Sequence, residues 1–406
     1  MGIFSPKRPA QQASADADFG YLPAGKIYAD TACQTLRPQC VIDAEAAYYT
    51  RNNACGGRVK YGWGRTVDAE VQAARDGILG MLGVSSKEYA VAFTLNTTYG
   101  INLVLHQLPA KRFARIVTST IEHNSVFLPS QAWAQRRSAE RLVLERGDDG
   151  SLTYEAAQLK DAVVLLNTTS NIDGRGLPNV KQLASDVHAG GGILLLDAAQ
   201  TFAHGLQSLR GVRFDALFGS GHKMYGPSLG FVVIRRELLR SLDLFLTGGG
   251  TVSDVSRDSA ASLIADPERE HEVLELGLQN WAGITGLRTA IDWLNGWKRA
   301  GQTRDAYEAA LAERLFEGLR GIPKAHLVNT TASPIVSLWA DGMDSHRLAL
   351  FLDEAGVMCR SGHFCCHYEL AHRRKIPPLV RLSLGLHNTP EQVDSLIGIL
   401  SRILSI

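Results

Sequence analysis

The sequence predicts an α/β fold built on a mostly parallel sheet. Two observations carry this. Short β-rich apolar runs alternate along the chain with helical patterns, the signature of strand–helix–strand units. Two of those runs, 193–196 and 216–218, lead into chemically loaded residues, Asp197 and the string Ser220-Gly221-His222-Lys223. In an open parallel sheet ligands sit at the strand C-termini, which is where such residues belong.

Taken in order, residues 1–26 read as a flexible arm, polar and rich in Ala, Gln and Asp. The arm lacks the apolar core of a secretory signal, and Pro6 breaks the acylation pattern that Gly2 would open. Runs 90–93, 114–117, 162–166, 193–196 and 230–234 are apolar and β-rich, and 67–82, 99–107 and 180–189 carry helical patterns. Around 240–280 the pattern loosens into Thr247-Gly248-Gly249-Gly250-Thr251 and a charged stretch at 266–272, expected to be a mobile loop near a site. A helix over 285–300 links to a smaller α+β unit with helices at 306–319, 345–354 and 390–403 and strands at 335–339 and 380–383. The expected division is an arm (1–26), a large α/β domain (27–290) and a small C-terminal α+β domain (291–406).

The bulk numbers exclude several classes. With 406 residues the chain can form about two or three domains. Lys and Arg total 42 against 41 Asp and Glu, so no net field draws nucleic acid or an anionic membrane. No apolar run approaches the ~20 residues of a membrane span. The six cysteines are too few and too scattered for a disulfide framework in a chain this size, which points to free thiols and a reducing, cytoplasmic setting.

A carboxylate and a lysine at the C-terminal ends of two buried strands suit an aldehyde cofactor. The Lys223 amine forms a Schiff base, and Asp197 keeps a pyridine nitrogen protonated so that the ring accepts electrons. That is the chemistry of pyridoxal 5'-phosphate. Either residue alone would read as a strand-end lysine or a loop aspartate. Thr97 and Thr98 follow a strand and precede a helical pattern, a place where hydroxyls and free N–H groups hold a phosphate. Simple helix capping is the alternative. Ser220 and His222 are placed to reach the same phosphate. His123, just past another strand end, can stack on a pyridine face and relay protons; a solvated loop histidine is the plainer reading. Asn171 and Gln200 are candidates to hydrogen-bond the ring oxygen.

His123, Asp197 with Gln200, and Ser220-Gly-His-Lys223-Met-Tyr-Gly-Pro227 together resemble the class V aminotransferases, and within them the group II cysteine desulfurase and selenocysteine lyase branch. The resemblance runs from about Tyr28 to the C-terminus. It implies the PLP-dependent transferase fold type I, with a mostly parallel seven-stranded sheet in the large domain. It places the nucleophilic cysteine of Arg360-Ser361-Gly362-His363-Phe364-Cys365 at Cys365, with Arg360 and His363 as neighbours able to favour thiolate. It also assigns Arg381 to the substrate α-carboxylate, which a planar guanidinium grips bidentately. The plainer readings are a buried apolar Cys365, an edge-strand Arg381 paired with an acid, and a zinc site of His363, Cys365, Cys366, His367 and His372.

Three departures stand out. Cys366-His367-Tyr368 follows Cys365 where relatives carry a small residue and proline. Leu278 stands where relatives carry a threonine that resembles the one donated to a partner subunit's phosphate, and it cannot hydrogen-bond there; the homodimer is what the resemblance implies. Residues 53–64 replace a His-Arg pair near the substrate entrance. The expected activity is desulfuration of L-cysteine to L-alanine through a Cys365 persulfide, with selenocysteine as a second substrate and a sulfur-acceptor protein as partner. In that cycle Lys223, Asp197, His123 and Cys365 are catalytic, and Arg381, Arg360 and Asn171 bind substrate. A C–S lyase, epimerase or aminotransferase of a specialised amino acid is the alternative; a non-catalytic sulfur carrier is a third. No metal is expected.

Overall fold

A computed structural model describes residues 18–57, 59–109 and 111–405. Its centre is a seven-stranded sheet of β1 (Tyr89–Thr94), β2 (Arg115–Ser119), β3 (Glu140–Leu144), β4 (Ala162–Asn167), β5 (Ile193–Asp197), β6 (Ala216–Ser220) and β7 (Gly230–Arg235), in the order β1-β7-β6-β5-β4-β2-β3. Only β7 runs against the others. The mostly parallel seven-stranded sheet is therefore as expected. Every residue of β4 and β5 is buried. Alternate side chains leave opposite faces: Val164, Leu166, Leu194 and Leu196 join one apolar cluster, and Val163, Leu165, Ile193 and Leu195 the other. Covering both faces explains why these strands read as continuous apolar runs.

A second sheet, wholly antiparallel, orders β8 (Ala325–Leu327), β9 (Ile335–Ala340), β11 (Leu379–Ser383) and β10 (Arg360–Gly362). It carries the thiol loop and Arg381. A strap formed by residues 27–35 joins the two sheets. Ile27–Tyr28 pairs with Val357–Met358, and the Ser383 N–H donates to the Ala29 carbonyl. At the strap's far end the Thr35 N–H and hydroxyl both donate to the His222 carbonyl, beside Lys223.

Several boundaries differ from expectation. Residues 1–17 of the expected arm lie outside the described residues, but the arm's last part is packed. Phe19 is buried against Tyr225, Trp293 and His387, and the Trp293 Nε1–H donates to Asp18. The linking helix is Trp281–Gly296, ending four residues early, because the 298–303 segment turns into a small hairpin. The loosened stretch near 250 holds a hairpin, Val252–Val255 against Ala261–Leu263.

Candidate active site

The C-terminal ends of the parallel strands open into a cavity of about 230 Å³. Its wall contains Thr97, Thr98, His123, Asn171, Asp197, Gln200, Ser220, His222, Lys223, Arg360 and Arg381. The structure thus brings together every expected site residue except Cys365, whose neighbour Phe364 faces the cavity instead.

Asp197 is the last residue of β5 and is buried, with Oδ1 accepting from the Ala199 N–H at 2.9 Å. Burial raises its pKa above the usual carboxylate value, against the pull of that N–H and of Lys223. A carboxylate so placed favours a positively charged partner. Burial also lowers the Lys223 pKa, opposed by the Asp197 charge, which moves the amine toward its neutral, nucleophilic form. The Gln200 amide donates to the Ala32 carbonyl at 2.7 Å, which fixes its orientation and leaves Oε1 buried without a partner in the cavity wall.

The phosphate end is built differently from the sequence reading. The helix starts at Thr97, two residues earlier than expected, and its cap is Asn96, whose side chain accepts from the Tyr99 N–H. The Thr97 hydroxyl donates to the Gly219 carbonyl at 2.8 Å, so Thr97 offers an anion its N–H and little else. The first N–H groups of a helix have no intrahelical partner and face the anion-favouring end of the dipole. The Thr98 hydroxyl sits 2.6 Å from Ser125 Oγ, and Ser220 Oγ sits 2.9 Å from His222 Nδ1. Gly230 opens β7 against this turn; a Cβ there would lie 2.3 Å from the Asn96 carbonyl carbon.

His123 has a structural duty that the sequence did not reveal. It caps the helix Asn124–Arg137, with Nδ1 accepting from the Ser125 N–H at 3.1 Å. Burial, then the charges of Lys223, Arg381 and Arg360, push its pKa down to about 3. The ring is neutral and, with Nδ1 an acceptor, carries its proton on Nε2. Burial and Lys223 likewise bring His222 down to about 4.

Arg381 does not lie on an edge: β11 runs between β9 and β10. Its side chain is 1% exposed, donating to the Asn171 carbonyl at 3.0 Å and to Asp30 Oδ1 at 3.1 Å, and its guanidinium lies 4.8 Å from the Phe364 ring centroid. Nε is left buried and unpartnered. The acid pairing of the plainer reading is present, yet the Nε–H remains unpartnered for a ligand.

Asn171 differs most from its expected role. Its Nδ2 donates to the Phe364 carbonyl at 2.8 Å and its Oδ1 accepts from Cys366 Sγ at 3.2 Å, so the amide holds the thiol loop. Burial drives the Cys366 thiol well above its ordinary pKa, and its side chain packs with Ile172, Leu370 and Leu379. Cys365 is half-buried. Its carbonyl accepts from the Asn124 N–H at 2.7 Å, and both Phe364 (φ 49°) and Cys365 (φ 59°) are left-handed, a conformation costly for non-glycine residues. Among the described residues no group of three His, Cys, Asp or Glu side chains is placed to hold a metal ion.

Sequence reasoning missed Asp30, which pairs with Arg381, and Asn167 and Cys33, which line the cavity. Asn167 ends β4 as Asp197 ends β5, so the strand-end rule could have found it. Asp30 and Cys33 carried no local signal, because their partners lie more than 300 residues away.

The donor set fits pyridoxal phosphate: an amine of lowered pKa, a buried carboxylate, a helix N-terminus with flanking hydroxyls, and unsatisfied polar atoms on Gln200 and Arg381. Comparison with known proteins agrees. A cysteine desulfurase of Salmonella gallinarum is 31% identical over 389 residues, covering 93% of each chain. The apo structure of a cysteine desulfurase from Thermococcus onnurineus NA1 superposes with a TM-score of 0.85 at 28% identity, covering 99% of this chain and 100% of that one. An Escherichia coli cysteine desulfurase, solved with an S-sulfonic acid, gives 0.84 at 25% identity, covering 99% of both. The sequence profile of the aminotransferase class-V family matches residues 27–396, and the chain belongs to that family.

Proposed function

We propose that this chain is a PLP-dependent cysteine desulfurase that takes sulfur from L-cysteine as a persulfide on Cys365 and releases L-alanine. The observation that carries the reading is the meeting of Lys223, Asp197, Gln200, His123 and Arg381 around one cavity, beside a loop bearing a half-exposed thiol. When bound, the cofactor supplies the electron sink that weakens the bonds at Cα and Cβ. The N-terminus of the Thr97–His106 helix, Thr98, Ser220 and His222 would hold its phosphate. Asp197 would hold a proton on its ring nitrogen, and Gln200 would bond its ring oxygen. Lys223 holds and moves the proton at Cα. Arg381, with Arg360, orients the substrate carboxylate.

The Cys365 thiolate attacks the substrate sulfur. The S–S bond forms as the Cβ–S bond breaks, its electron pair stays with carbon, and a proton completes alanine. No outside oxidant is needed; an acceptor protein or a thiol reductant later removes the sulfane sulfur. Selenocysteine fits the same steps. All six cysteines are free, which supports a reducing, cytoplasmic setting. Leu95 and Leu278, 73% and 78% exposed, flank one apolar groove and support a second copy of the chain as its cover.

The second reading, a C–S lyase, epimerase or aminotransferase, draws on the Phe364 side chain standing in the cavity wall where the thiol would act. A paired assay decides. PLP-loaded enzyme is given L-cysteine with a thiol reductant, and sulfide and alanine are measured for wild type and Cys365→Ala. Equal sulfide and alanine, lost in the variant, support desulfuration through Cys365. Activity that survives the variant favours the second reading.

A further inference from the structure

Arg360 and Arg381 stand directly opposite each other in the register of β10 and β11, so their side chains leave the same face of the sheet. Both reach the cavity wall. Two guanidiniums this close repel, and the fold holds each with a different residue of a single turn. Asp30 Oδ1 accepts from Arg381 Nη2, and Cys33 Sγ accepts from Arg360 Nη1, each at 3.1 Å. The Cys33 N–H donates to the Asp30 carbonyl at 3.1 Å, closing the turn that carries both acceptors.

The two arginines differ in what remains free. Arg381 faces a carboxylate, but its buried Nε has no partner. Arg360 forms no salt bridge among the described residues; its hydrogen bond goes to a thiol, a weak acceptor. The cavity therefore holds one compensated guanidinium with an unused donor and one guanidinium without a carboxylate partner.

We propose that Cys33 is a positioning residue for the substrate carboxylate. It holds Arg360 so that this cation, which forms no salt bridge among the described residues and shares the more distant charge of Asp30 with Arg381, draws the anion in, while Arg381 fixes its orientation through Nε. The ligand class is the α-carboxylate of a sulfur-containing amino acid, so the inference rests on the proposed reading of this site. A bare alkyl group at Cys33 would leave Arg360 free to swing away from its neighbour's charge. A hydroxyl would still hold it.

The test compares Cys33→Ala and Cys33→Ser with wild type, all as holoenzyme. Two quantities are read: kcat and KM for L-cysteine, and the Kd of β-mercaptopropionate by calorimetry. That probe carries the thiol and carboxylate but no amine, so it reports the anion site without chemistry. Cys33→Ala is expected to raise KM and Kd about tenfold each with kcat within about twofold, and Cys33→Ser to stay near wild type. Should Cys33→Ala fail to fold, Cys33→Val fills the space without accepting a hydrogen bond and takes its place. An unchanged Kd in the alanine or valine variant overturns the proposal, as does equal impairment of the serine variant. If wild type makes no alanine from cysteine, the desulfurase reading fails, and the Kd comparison still decides the role of Cys33.

Discussion

Cys366 and Asn171 are hydrogen-bonded, Sγ to Oδ1, at 3.2 Å, and this contact separates two cysteines adjacent in sequence. Cys366 is locked inward as a protonated thiol, while Cys365 stays on the half-exposed side of the loop. Cys366→Ala should therefore cost about 1–3 kcal/mol of stability, because it strips a partner from a buried amide, and should leave alanine formation within about twofold of wild type. Urea unfolding and the alanine assay check the two halves.

Cys365→Ser should fold and take up cofactor normally, since its backbone carbonyl rather than its side chain is tied to Asn124. Sulfide and alanine release from L-cysteine should fall about a hundredfold or more, because a hydroxyl is a far weaker nucleophile toward sulfur. Cofactor absorbance and product assays on one preparation separate lost binding from lost chemistry.

His123 makes the apo protein acid-sensitive in a defined window. The unfolded histidine takes a proton as pH falls through 6.5, whereas the native ring resists until about 3. The unfolded state thus binds more protons across that interval, and stability is lost as pH falls, by about 2 kcal/mol at pH 5 from this group. His123→Asn keeps a good N-cap and does not titrate. Its stability should fall less steeply between about pH 6.5 and 4 in chemical unfolding of the apo protein. Equal slopes would mean the ring is not buried as described.

Arg381→Lys keeps one charge but loses the planar fork that reaches Asp30 and Asn171 together. KM for L-cysteine should rise about 10- to 100-fold. The melting temperature should also fall, since one ammonium cannot bond Asp30 and the Asn171 carbonyl in the places of the two guanidinium nitrogens. An unchanged KM would move substrate recognition away from this strand.

Much of this arrangement was legible in the sequence because it obeys the strand-end rule. β4, β5 and β6 are short apolar runs covered on both faces, so their composition marks them, and the residues at their C-terminal ends line the cavity. Elements that broke such patterns were missed. β3 is an edge strand that mixes Glu140 and Arg141 with its apolar residues, and the helix Asn124–Arg137 contains Pro129. Site residues were legible by type but not by duty. Thr97, His123 and Asn171 all reach the cavity, yet each has a structural hydrogen bond set by a neighbour distant in sequence or by a cap. One-dimensional spacing records neither.

The strap across the two sheets also sets a timetable. Asp30 and Arg381 are 351 positions apart, and Cys33 and Arg360 are 327. During synthesis the ribosome must release almost the entire chain before either arginine can find its acceptor. Until then the large sheet can form with its cavity half-walled, carrying Lys223 but neither arginine of the far wall. On the proposed reading, a chain that ends before β11 lacks Arg381, so the carboxylate site is complete only once the last strand is made.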